Sequence, residues 1–217
     1  MRPFAKAGRP ANDVGVPGTG SAPRDELSLL ALAAQAGDSK ALRTLLGGLG
    51  PAMLRVIRKI LGESSLDVND VLQDSMFGLV KALSGFRQEC SLMHFACRVA
   101  VMTSLAARRQ SRSRGWVASV PLSSEVDLVP TGASDPATQA EAAARRTVLW
   151  RLLEDLPTTQ AEALALHCVE GFTVEEIAAA EGCPVETVKS RLRLAKATLR
   201  SRIAEDLTAR DLLTREP

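Results

Sequence analysis

The sequence predicts an all-α protein of two small helical domains joined by a flexible linker, the second domain being a helix-turn-helix. Three observations carry that reading. The composition is rich in Ala and Leu, lacks Tyr and holds few Phe or Trp, which favours helices over sheets. Apolar residues recur at steps of three and four wherever Gly or Pro does not interrupt. From Ser111 to about Thr138 that periodicity fails, and Gly115, Pro121, Pro130, Gly132 and Pro136 are scattered among Ser, Thr and Asp. The 217 residues therefore divide into a tail over 1–24, a helical domain over 25–114, a linker over 115–138, a helix-turn-helix domain over 139–207 and a second tail over 208–217.

The first tail is rich in Gly, Pro and Ala and reads as disordered. Asp25 is a candidate N-cap for a first helix through Leu27, Leu30, Ala31, Ala34 and Gln35, ending at Gly37. Asp38 is placed to cap the next helix, whose stripe is Ala41, Leu42, Leu45, Leu46 and Leu49. Gly47, Gly48, Gly50 and Pro51 predict an interruption, with a separate helix from Pro51 to Leu61 stopped by Gly62. Asp67 is the expected N-cap of a helix through Leu83 that buries Val71, Leu72, Met76, Leu79, Val80 and Leu83.

The exposed side of this helix begins acidic, with Asp67, Asp70 and Asp74 and with Gln73 among them. Acids in a first turn complement the helix dipole, which explains Asp67 and Asp70 better than Asp74. The other reading is a polar docking face for a basic partner. Ser84–Ser91 is a polar loop with one aromatic, Phe86. Leu92 to about Gln110 reads as a helix through Phe95, Val99, Met102 and Leu105. Arg98, Arg108, Arg109, Arg112 and Arg114 form a basic block with no acid between them. Stabilisation of the helix end accounts for part of the block, and five arginines would suit a phosphate backbone.

In the second half, Gln139–Leu156 is helical with Val148, Leu149, Leu152 and Leu153 inside. Leu156-Pro157 breaks the chain, and Thr158 or Thr159 can cap a helix over Ala161–Glu170. His167 reads as a satisfied core or boundary residue rather than a ligand or base. Thr173 and Glu176 then have capping-box spacing, Val174, Ile177 and Ala178 supply a stripe, and Gly182 ends that helix. Pro184 suits the start of the next one, where Val185, Val188, Leu192, Ala195 and Leu199 mark one buried face. From Glu186 to Arg202 there are six Lys or Arg and one acid. Charge concentrated on a second helix is what entry into the DNA major groove needs. The plainer alternative is an amphipathic hairpin with a solvated basic face.

The net charge of +2 says little by itself. Cys90, Cys97, Cys168 and Cys183 form no Cys-x-x-Cys pair, and no secretory signal is evident, so the thiols read as reduced and the protein as cytoplasmic. Cys90, His94 and Cys97 could be drawn as metal ligands, with His167 or Cys168 as a fourth, but matched ligand pairs are missing and no metal is expected. No Gly-rich nucleotide loop or catalytic triad is present. The expectation is therefore a non-enzyme without catalytic residues or cofactor. No uncharged stretch is long enough to cross a bilayer, so no membrane insertion is expected.

The segment LPTTQAEALALHCVEGFTVEEIAAAEGCPVETVKSRL resembles the promoter-binding C-terminal domain of the extracytoplasmic-function sigma factors of bacterial RNA polymerase. AQAGDSKAL resembles the opening of that family, DVNDVLQDSMFGLVKAL its clamp-docking helix, and FRQECSLMHFACRVA its promoter-melting loop and following helix. The likeness covers about Asp25–Arg114 and Gln139–Ile203. Phe95 stands where the family usually has Trp. Leu194 stands where Arg is usual, so Arg193 and Lys196 shift the basic face.

The resemblance implies a sigma factor that binds core RNA polymerase, recognises a two-part promoter and directs initiation of a specific gene set. Asp70, Gln73 and Asp74 would contact the core. Phe86, Arg87, Gln88 and Ser91 would hold a flipped base of the downstream element by stacking and polar contacts. Arg98, Arg108 and Arg109 would follow the phosphates of the opened strand. Thr187, Lys189, Ser190, Arg191, Arg193 and Lys196 would read the upstream element in the major groove. An inhibitory partner, an anti-sigma factor, is implied as well. Two alternatives stay open: a helix-turn-helix regulator that is not a sigma subunit, and a helical adaptor that binds only proteins.

Overall fold

The computed structural model describes residues 24–62, 65–113, 136–206 and 210; the N-terminal tail, the central linker and the last residues fall outside that set. The described residues form eight helices: α1 (Arg24–Gln35), α2 (Ser39–Leu61), α3 (Val68–Leu83), α4 (Leu92–Ser113), α5 (Pro136–Glu154), α6 (Thr158–Cys168), α7 (Val174–Glu181) and α8 (Val185–Glu205). α1 begins at Arg24, so Asp25 is not its N-cap. Asp38 does cap α2, its carboxylate accepting from the amides of Lys40 at 2.8 Å and Ala41 at 3.1 Å.

α2 is one continuous helix of 23 residues, where the sequence predicts a break at Gly47–Pro51. Pro51 deprives the Gly47 carbonyl of its amide and crowds it, at about 3 kcal/mol in a helix interior. Leu45 and Leu49 before it, and Met53, Val56, Ile57 and Ile60 after it, are all buried, so packing on both flanks carries the axis through the defect. Gly50 serves close approach instead of termination. A Cβ on Gly50 would sit 3.0 Å from Met76 Cε of α3, and one on Gly48 would sit 3.6 Å from Leu27 of α1.

α3 buries Val68, Val71, Ser75, Leu79 and Leu83, while Leu72, Met76 and Val80 are only half-buried. Asp67 occupies the N-cap position of α3 without a side-chain cap bond. α4 buries Leu92, Ala96, Cys97, Ala100, Val101, Ser104 and Leu105, and Met102 lies outside. The expected face of α4 is thus rotated. Ala96, Ala100 and Ser104, spaced at one turn, are fully buried, while Phe95 and Val99 pack at the margin of the core.

In α5 Trp150 is buried and Leu149 is 39% exposed, the reverse of the expectation for Leu149. α6 starts at Thr158, with Pro157 in the N-cap position and no side-chain cap from either threonine. The capping box of α7 forms as read: the Glu176 amide donates to Thr173 Oγ1 at 3.1 Å and the Thr173 amide to Glu176 Oε2 at 2.9 Å. Gly182 takes φ 62, the left-handed C-cap. α8 buries Val188, Leu192, Ala195 and Leu199 against α6 and α7. α4 packs along α6 and touches α5 and α7, so the buried apolar side chains of both halves form one continuous cluster.

Candidate nucleic-acid interface

The buried ridge of α8 fixes which of its cations face outward. Lys189, Arg193, Lys196 and Arg200 are exposed, and with His167, Val174 and Leu192 they line an open groove. Among the described residues no acid pairs with Arg193, Lys196 or Arg200. Lys189 bonds Glu186 at 2.7 Å, an exposed pair about one turn apart that solvent screens. That bond holds the Lys189 ammonium above its ordinary range. His167 Nδ1 lies 2.9 Å from the Phe172 carbonyl, so Nδ1 carries the proton and ties the end of α6 to the turn before α7.

Arg191 behaves differently. Its guanidinium pairs with Glu181, whose side chain is 2% exposed, and lies against Cys183 Sγ. It braces the turn between α7 and α8. Thr187 and Ser190 are half-buried beside it, and Leu194 is 47% exposed next to Arg193.

The loop before α4 is built on Phe86, whose ring lies 4.9 Å from that of Phe95 at a tilt of 41°. Gln35, the last residue of α1, donates from Nε2 to the carbonyls of Leu83 at 2.6 Å and Phe86 at 3.2 Å, fixing where the loop leaves α3. Arg87 and Gln88 are exposed, and Gln88 sits at φ 61, a conformation that costs a non-glycine residue energy and turns the chain sharply. The Ser91 hydroxyl accepts from the His94 amide at 3.1 Å and so caps α4. Gln35 escapes a sequence reading because its partners lie 48 and 51 residues away.

On α3, Asp70, Gln73 and Asp74 are exposed on one face, and Phe77 continues that face one turn on with 57% of its surface open. Phe77 was missed as a surface residue, although its place seven residues after Asp70 was the available signal. Two arginines of α4 are turned inward: Arg98 meets Glu162, and Arg108 meets Glu154, across the two halves.

Among the described residues no group of three or more His, Cys, Asp or Glu is arranged to hold a metal ion. Burial pushes the thiols of Cys90 and Cys183 up, and that of Cys97 to about 12, with Glu170 adding to the last. These three are poor thiolates.

Glu162 is buried, and burial raises its carboxyl despite the opposing pull of Arg98. A carboxyl raised in the folded state contributes stability that is full below its unfolded value and is lost as pH rises through the folded one. Glu162→Gln should therefore flatten part of the decline in melting temperature from pH 4.5 upward, read as the difference between parent and variant profiles. Parallel profiles would sink this assignment.

Residues 146–199 match the family described as sigma-70, region 4. The ECF RNA polymerase sigma-E factor of Salmonella typhimurium strain 14028s is 30% identical over 179 residues, which span 78% of this chain and 90% of that protein. The protein of the same name from Escherichia coli K12 is 29% identical over the same shares. Among solved structures, that of CnrH in complex with the cytosolic domain of CnrY matches 85% of this chain and 99% of its own, at 22% identity and a TM-score of 0.49.

Proposed function

The chain belongs to the extracytoplasmic-function sigma factors of RNA polymerase, and from that membership we propose how its parts divide the work of promoter-directed initiation. As a sigma factor it binds core RNA polymerase and promoter DNA and directs where transcription starts. It acts by binding rather than by catalysis. No described helix is long and apolar enough to cross a membrane, and its workplace is the cytoplasm, beside the polymerase.

The N-terminal domain, residues 25–114, docks on the core through Asp70, Gln73 and Asp74, with Phe77 as apolar anchor. Phe86, Arg87, Gln88 and Ser91 receive the flipped base of the downstream element, and Arg98, Arg108 and Arg109 follow the opened strand. The C-terminal domain, residues 139–207, lays α8 in the major groove of the upstream element. Lys189, Arg193 and Lys196 do the contacting there, Thr187 and Ser190 line the near edge, and Arg191 positions the helix through Glu181. The linker over 115–138 sets the distance between the two grips. Family membership also implies an anti-sigma factor that covers these surfaces between rounds.

One observation carries the reading: in a chain of this family, α8 presents Arg193, Lys196 and Arg200 on one side, with no acid partner among the described residues, while its other side is locked into the core. The first test is association with core polymerase on a sizing column with light scattering. A one-to-one complex is expected. A chain that bound promoter duplex and ignored the core would be a plain helix-turn-helix regulator.

A further inference from the structure

The arginines assigned to the opened strand already have partners. Arg98 Nε lies 2.7 Å from Glu162 Oε1, and Arg108 Nε lies 2.6 Å from Glu154 Oε1 with its guanidinium 5.6 Å over the Trp150 ring. Arg109 donates to the carbonyls of Glu154 at 3.4 Å and Leu156 at 3.1 Å and to Thr158 Oγ1 at 2.8 Å. Arg112 reaches Asp155 Oδ1 at 2.6 Å. Arg108 also donates to the Ile60 carbonyl of α2 at 3.1 Å, and all the other acceptors belong to the last turn of α5, the first turns of α6 or the bend between them.

We propose that this acidic edge is an intramolecular stand-in for the DNA strand, so that the free chain is closed over its own downstream-element site. The inference rests on the strand-following role of Arg98, Arg108 and Arg109. The chemistry matches on both counts that matter. Carboxylates supply the charge of phosphates, and α5 ends here, so its last carbonyls carry the negative end of the helix dipole and lack helical partners. Arg109 meets the last of them, that of Glu154, and the Leu156 carbonyl in the bend, as it would meet phosphate oxygens.

The closure is selective and reversible. Lys189, Arg193, Lys196 and Arg200 stay exposed, so the upstream face of α8 is not covered. Glu154 and Glu162 are 6% and 5% exposed, and separation would return both to water, which offsets much of what the ion pairs contribute. A strand can then bind only to the open fraction, and its apparent affinity falls by that fraction.

The test uses the full chain, free of polymerase, and a fluorescein-labelled single-stranded deoxyoligonucleotide read by anisotropy. Glu154→Gln with Asp155→Asn should tighten binding by roughly fivefold or more. Asp155→Asn alone, at a half-exposed position, should shift it the same way by a smaller factor and serves if the double variant folds poorly. Glu26→Gln with Glu141→Gln removes the same charge away from the edge and should leave binding nearly unchanged. If both pairs of substitutions tighten binding equally, or if neither does, self-closure is overturned. Arg108→Ala with Arg109→Ala should weaken binding several-fold. If that pair binds like the parent, the strand-following role itself fails, whatever the acidic variants do.

Discussion

Arg193→Ala should weaken binding to the upstream promoter duplex by about 1–3 kcal/mol, roughly tenfold to a hundredfold, and leave association with core polymerase unchanged. Arg193 is exposed on α8 with no acid paired to it among the described residues, so the side chain is available and its loss strands no described partner. Arg191→Ala, two residues earlier, should do the opposite. Glu181 is 2% exposed and takes Arg191 as its ion-pair partner, so truncation strands a buried carboxylate and should lower folding stability by about 2 kcal/mol. Duplex binding measured well below the melting temperature should then fall little. If Arg191→Ala abolished duplex binding without lowering the melting temperature, Arg191 would be a base reader after all. Anisotropy on a promoter duplex, with thermal melts of the same preparations, separates the two.

The second large effect is expected on α3. Phe77→Ala should cost about 2 kcal/mol or more in core binding, because an exposed aromatic inside a polar rim is the usual anchor of an interface. Asp74→Ala should cost less at equilibrium and more in association rate and salt dependence, as rim charges do. Both variants should hold upstream duplex as the parent does. Competition binding to core, followed at two salt concentrations, checks this. A Phe77→Ala chain with undiminished core affinity would confine docking to Asp70, Gln73 and Asp74.

Residues that act on near neighbours were legible in the sequence. Thr173, Glu176, Gly182 and the ridge Val188–Leu192–Ala195–Leu199 follow local rules of capping and period, and all four features form. The break in α2 did not form, because its neighbours decide it: burial of Leu45, Leu49, Met53 and Val56 on both flanks overrides Pro51, and a side chain at Gly50 would meet Met76 at 3.0 Å. The face of α4 is likewise decided by its neighbours, with Ala96, Ala100 and Ser104 fully buried and Met102 outside.

At the site, residue identities were legible and partners were not. Arg98 and Glu162 are 64 positions apart, and Arg108 and Glu154 are 46 apart. A basic block reads the same in sequence whether it faces solvent, DNA or its own chain. Arg191 was likewise grouped with Arg193 by charge, and only the fold of the turn sends its guanidinium to Glu181.

Initiation by the assembled enzyme is the most direct test of sigma activity. Core polymerase of the same cell, with and without this chain, is run on a panel of candidate promoters and on copies scrambled at the upstream or the downstream element. Discrete run-off transcripts that require the chain and disappear when either element is scrambled are expected. Transcripts indifferent to the chain, or a core-bound chain that starts transcription equally from intact and scrambled templates, would contradict sigma activity.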